Sequence, residues 1–211
     1  LYKEAYQLAL EHKSIELQQV SGIMLIKYLC GAGYYSESLE YYNKIKPEIA
    51  FNPSMQNEVV KSYMELNKPD SARIYLAARL LSERGDKIVL NCMMAETYIP
   101  EGQEDSAFVF LDRAMKSYKE KAKNYQKQGR EAILPNCFLS PCYLFADLLW
   151  KKGKIQQASQ YYMIVEPLMK ERVKTPVRME LQIKALTNFS SFCRETKQYE
   201  KALDLLARRD S

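Results

Sequence analysis

The chain has 211 residues, enough to bury a sizeable core. Its 31 basic and 26 acidic residues leave a net charge of only +5, too mild to point to nucleic acid. Gly (7) and Pro (8) are scarce and alternating Val/Ile/Thr runs are missing, which excludes a sheet protein and predicts an all-α chain.

No apolar run reaches the roughly 18 residues of a membrane span, so no span is expected within this chain. The first residue is Leu1 rather than Met, which leaves a leader or anchor ahead of it open. The five cysteines are Cys30, Cys92, Cys137, Cys142 and Cys193. They form no C-x-x-C, and His12 is the only histidine, so metal-ligand spacing is absent. Free buried thiols are expected, which favours a reducing, cytoplasmic compartment. A redox pair across "CFLSPC" (Cys137 and Cys142) is the alternative.

From the N-terminus onward, a small residue recurs a few positions after each turn signal. These anchors are Ala5, Ser38, Ala72, Ala107, Ala158 and Ala202, at spacings of 33, 34, 35, 51 and 44 residues. Five residues before the last five anchors stand Gly33, Asn67, Gly102, Gly153 and Lys197. Gly and Asn reach a left-handed backbone cheaply, so a helix stops there and the chain turns. Twelve before the anchors stand Ile26, Val60, Ala95, Ala146 and Ser190, and thirteen before, Leu25, Val59, Met94, Phe145 and Phe189. Four after come Tyr42, Leu76, Leu111, Tyr162 and Leu206. These offsets draw one apolar stripe before the turn and one after it. Each unit is a helix A, a short turn and a helix B. The expected units are a half unit at 1–17 (helix B) and helix pairs at 19–52, 53–86, 87–131, 138–175 and 177–211.

Two stretches share their punctuation: "GYYSESLEYYNKIKP" from Gly33 and "GKIQQASQYYMIVEP" from Gly153. Tyr42 and Tyr162 fall on the core stripe, which leaves Tyr41 and Tyr161 for a surface role. Pro47 and Pro167 should end or bend helix B, and Pro176 should start the next helix. The longest spacing follows Ala107, where the stripe Ala107, Leu111, Ala114, Tyr118, Ala122, Tyr125 predicts a long helix B ending near Gly129. It carries Lys116, Lys119, Lys121, Lys123 and Lys127, one reading of which is an anion or membrane-surface contact. Asp112 and Glu120 interrupt this run, which fits a solvated lysine face, and no direct nucleic-acid contact is expected.

Phosphate-loop, dinucleotide, zinc-protease and nucleophile-elbow motifs are absent, and no catalytic residue or cofactor is predicted. Carboxylate pairs such as Glu37/Glu40 and Glu171/Glu180 sit at ordinary solvated helix spacing.

The register of small anchor, Gly/Asn turn and large apolar residues resembles the tetratricopeptide repeat, with about 34 residues per unit. Ala72 with Tyr63, and Ala107 with Tyr98 and Ala114, match it best, while the family's Trp early in helix A is replaced by Gly22, Gln56, Asn91, Cys142 and Leu186. The resemblance implies an α-solenoid of antiparallel helix pairs in a right-handed superhelix, with lengthened helices in the C-terminal half. It also implies a non-catalytic protein- or peptide-binding scaffold whose concave groove is lined by the A helices. Carried over, the groove positions are Lys27, Asn57, Lys61, Glu65, Cys92, Glu96, Tyr143, Asp147, Trp150 and Lys151. Trp150 would either anchor a peptide or pack under the next unit. The family's carboxylate-gripping set would fall on Ile23, Lys27, Glu58 and Met93, a broken pattern, so that activity is not implied. In overall style the chain is similar to the sensor regions of Bacteroidetes-type transcriptional regulators. That alternative implies a regulatory arm, on the periplasmic face of a membrane-anchored regulator, with DNA-binding or membrane segments outside this chain. An end without a polar cap raises the same expectation of further protein.

Overall fold

The computed structural model describes residues 1–45, 55–82, 85–170 and 176–210. Among them every regular element is helical. The chain divides into two compact units, Leu1–Gly85 and Asp86–Ser211.

In the first unit, α1 (Tyr2–Glu11), α2 (Ile15–Gly31), α3 (Tyr35–Lys44), α4 (Gln56–Glu65) and α5 (Pro69–Leu81) follow in order. Each helix packs on the next, and α2 also packs on α4. The second unit holds α6 (Lys87–Tyr98), α7 (Glu104–Lys127), a 3-10 turn (Asn136–Phe138), α8 (Leu139–Lys151), α9 (Ile155–Lys170), α10 (Pro176–Glu195) and α11 (Tyr199–Arg209). Here α6/α7, α8/α9 and α10/α11 pair, and α6, α8 and α10 adjoin in series. The lengthened helices are α7, α9 and α10, with 24, 16 and 20 residues.

The helix-to-helix turns are chemically one turn written five times. Gly33, Asn67, Gly102, Gly153 and Lys197 all have positive φ, from 54° to 82°. In each, the next residue's N–H donates to the carbonyl five positions back, as in Tyr34 to Leu29 at 2.8 Å and Gln198 to Cys193 at 2.8 Å. The turn residue donates three back, as in Gly153 to Trp150 at 2.8 Å. This Schellman geometry satisfies carbonyls that the helix end would otherwise orphan. Lys13 and Gly129 end α1 and α7 in the same way. Four of the five helices leaving these turns have an acid in their first turn, Glu37, Asp70, Glu104 and Glu200, which suits the positive end of the helix dipole; α9 has none. Two helices also carry a side-chain cap at their start: Ser14 Oγ accepts from Leu17 N–H and Asp86 from Ile88 N–H.

The anchors lie where the paired helices touch. Ala72, Ala107 and Ala158 are wholly buried, and Ser38 and Ala202 nearly so. Ser38 adds a bond, its Oγ–H donating to the Ile26 carbonyl at 3.3 Å. The stripes twelve and thirteen residues before the anchors are buried in every pair.

Pro167, expected to end or bend its helix, does not end it, since α9 continues to Lys170. The proline removes the N–H that would otherwise donate to the Met163 carbonyl. Tyr41 and Tyr161 are not free surface tyrosines. Tyr161 stands edge-on to Phe145 at 4.9 Å, and burial pushes its hydroxyl up to about 12. Tyr41 stands edge-on to Tyr6 at 6.0 Å. Pro47 and Glu171 lie outside the described residues.

Candidate peptide-binding face

In the first unit, Lys27 sits half-buried on α2, while Asn57, Lys61 and Glu65 lie exposed along α4 at four-residue spacing, hence on one helix face. The Lys61 ammonium stands 6.0 Å from the centre of the Tyr35 ring, a cation–π contact that ties it to α3.

The second unit gathers more. Its A helices α6, α8 and α10 adjoin, and carboxylates from all three act electrostatically on one tyrosine. Tyr143 on α8 is buried, and its hydroxyl is pushed up to about 12 by burial first and then by Glu96, Asp147 and Glu180. Glu96 on α6 accepts a hydrogen bond from Ser140 at the start of α8. Burial pushes the Glu96 carboxyl up to about 7, and the Ser140 bond only partly offsets that. The other two acids have lysines one turn away: Asp147–Lys151 and Glu180–Lys184, each at 2.7 Å. Both lysine side chains are mostly exposed, so these pairs are screened and easily exchanged. Glu96 thus differs from its neighbours in being desolvated and answered only by a neutral hydroxyl in its side-chain bonding.

The remaining carried-over positions face elsewhere. Cys92 is buried in the core, so it lines no groove. Trp150 stands edge-on to Phe192 of α10 at 5.7 Å, packed beneath the next helix pair. Glu180 was missed as a site residue. From sequence Glu180 falls only in a solvated carboxylate pair with Glu171; in the structure it lies near the start of the 20-residue α10.

On α7, Lys116 pairs with Asp112 at 2.8 Å, and Lys119, Lys121, Lys123 and Lys127 are exposed. Among the described residues, no group of three or more His, Cys, Asp or Glu side chains is arranged to hold a metal ion. No helix among them is long and apolar enough to cross a membrane.

A tetratricopeptide repeat family model matches residues 139–163, which is α8, its turn and the first half of α9. Residues 139–163 contain the fourth positive-φ turn and the Ala158 anchor, so the match falls in register with the five-fold pattern. The chain carries a tetratricopeptide repeat (TPR) at residues 139–163. Two solved structures share its fold: the nearly identical TPR-like repeats of a putative kinesin light chain from Podosopora anserina, and a single-substitution variant of the same. Both are 16% identical and cover 92% of this chain and 93% of theirs, with TM-scores of 0.54 and 0.56 respectively. No curated protein matches the chain. TPR domains are in general protein-interaction modules, so the partners to look for are proteins.

Proposed function

We propose that this TPR array is a non-catalytic scaffold that binds a peptide segment carrying a basic residue along the A-helix face of α6, α8 and α10. The repeat units are read as the helix pairs 19–52, 53–86, 87–131, 138–175 and 177–211, following the half unit 1–17. The observation that carries the proposal is that three successive, adjoining A helices each bring a carboxylate, Glu96, Asp147 and Glu180, that acts electrostatically on Tyr143. A lysine or arginine from a peptide could displace the exposed Lys151 or Lys184 at little cost, because each surface pair is worth only about 0–1 kcal/mol. It would also relieve Glu96 by giving a desolvated carboxylate a full positive partner. In the first unit, Lys27, Asn57, Lys61 and Glu65 are proposed as the corresponding A-helix contacts.

The test is a binding screen against immobilised peptides of about 15 residues and graded charge, followed by anisotropy titration of the strongest. Basic peptides should bind preferentially, weaken with salt, and lose roughly tenfold in affinity in an Asp147→Asn/Glu180→Gln variant. Equal binding of acidic and basic peptides, or an unchanged Kd in the variant, would overturn the reading.

A further inference from the structure

The groove between α8 and α9 is covered by α10. Phe189 stacks on Tyr162 with ring centres 4.7 Å apart, and Phe192 meets Trp150 edge-on at 5.7 Å. The same groove recurs one helix pair on, between α10 and α11, because the two pairs keep one register 44 residues apart. Ala202 takes the place of Ala158, and Leu206 that of Tyr162. This second groove is open. It has a volume of about 380 Å³, and Tyr199 and Leu203 on its α11 wall are 60% and 67% exposed. Its α10 wall is cut back, with Thr187 where the covered groove has Tyr143. Its charged lining residues are Arg194 and Arg209, at the register places of Trp150 and Val165. Trp150 packs on α10 and Val165 is wholly buried, so two apolar places of the covered groove have become cationic.

We propose that the α10/α11 groove docks an acidic amphipathic helix of a partner protein, seated on α10 and α11 as α10 itself is seated on α8 and α9. Continuity gives the shape of the occupant. Two successive pairs of this unit already take a helix at this place: α8 packs on α6 and α7, and α10 packs on α8 and α9. Tyr199, Leu203 and Leu206 follow one another at helical spacing along the open wall, a strip that the apolar face of a helix covers. Charge gives the chemistry of the occupant. A helix as aromatic as α10 would press Arg194 and Arg209 against apolar side chains, and a desolvated cation without a partner is costly. Carboxylates on the occupant remove that cost. Arg194 is exposed and forms no ion pair among the described residues. Arg209 pairs with the adjacent Asp210 at 2.8 Å, an exposed pair that exchanges at little cost. Arg194 lies at the Tyr199 end of the groove and Arg209 at the other end of α11. The two cations are therefore about 15 Å apart along the helix axis, so the occupant's carboxylates belong roughly three turns apart. The groove is separate from the face around Tyr143 and does not rest on its binding a peptide.

The probes are three fluorescein-labelled synthetic helices of about 18 residues. They share one Leu/Phe stripe and carry Glu, Gln or Lys at two flanking places about three turns apart. Each is titrated with the full chain and followed by anisotropy. The Glu helix should bind about tenfold tighter than the Lys helix and weaken as salt rises. Arg194→Glu/Arg209→Glu should reverse that order. Leu203→Asp, a change at an exposed position, should weaken the Glu helix about tenfold, with helix content by circular dichroism unchanged. Asp147→Asn/Glu180→Gln should leave the Glu helix bound as before, because neither residue lines the groove. No binding of the Glu helix, its loss in Asp147→Asn/Glu180→Gln, or an order that survives the double arginine reversal would overturn the proposal. So would a dimer in sedimentation equilibrium that Leu203→Asp dissolves, since the groove would then belong to a second copy.

Discussion

Tyr162 of α9 stacks on Phe189 of α10, with ring centres 4.7 Å apart and planes 6° from parallel. Phe192 closes on the same ring at 5.1 Å, and Trp150 meets Phe192 edge-on. Within this aromatic cluster the Tyr162 hydroxyl is buried without a hydrogen-bond partner among the described residues. A buried hydroxyl without a partner carries its desolvation cost uncompensated. Tyr162→Phe should therefore leave stability unchanged or raise it by up to about 1–2 kcal/mol, whereas Tyr162→Ala should cost about 3–5 kcal/mol. Urea denaturation of the two variants separates the ring's packing from its hydroxyl.

Lys197 is a lysine held at φ 63°, in the place that Gly33, Gly102 and Gly153 take in other turns. A left-handed backbone strains a residue with a Cβ. Lys197→Gly should stabilise the chain by roughly 0.5–1 kcal/mol, since relief of that strain exceeds the added freedom of the unfolded glycine. Gly153→Ala should destabilise by a similar amount, although an added Cβ there meets nothing within 4 Å. Opposite shifts in the midpoint of thermal unfolding are the expected result; equal signs would mean the turns are not equivalent.

The Ala158 anchor is wholly buried where α9 meets α8. Ala158→Leu should cost about 1–3 kcal/mol through overpacking. Ser38 occupies the same place in the first complete pair, but its hydroxyl serves the Ile26 carbonyl. Ser38→Ala should lose only that bond, about 1 kcal/mol. Measuring both by chemical denaturation tests whether volume is the constraint at the anchor.

Glu96 makes stability depend on pH. Its folded carboxyl lies near 7, above its value of 4.5 in a free chain. A raised folded value contributes stability that is complete below about 4.5 and is lost as pH rises through about 7. Between these values the folded chain holds the extra proton, so stability should fall by on the order of 2–3 kcal/mol. Glu96→Gln should remove that slope and be the more stable form at pH 8. Parallel denaturation curves from about pH 5 to about pH 8 would show it; an unchanged slope in the variant would assign the dependence to other groups.

Much of this molecule is written in short-range chemistry. The residues at Gly33, Asn67, Gly102, Gly153 and Lys197 mark helix stops because backbone preference is local, and even Lys197 is found by its register with the others. Buried stripes such as Ile26/Leu25 and Ala146/Phe145 follow from helical periodicity alone. Other features depended on where the helices lie once stacked. Glu180 acts electrostatically on Tyr143 because α10 packs beside α8. Tyr161 is claimed by Phe145, and Trp150 by Phe192, through contacts between helices that no spacing encodes. By itself the sequence determined the helices, their turns and the small anchors, since those rest on each residue's own conformational preference and on the helical period of about 3.6 residues. Tertiary structure alone decided which side chains share a desolvated space, since that depends on helix lengths and on the stacking of distant pairs.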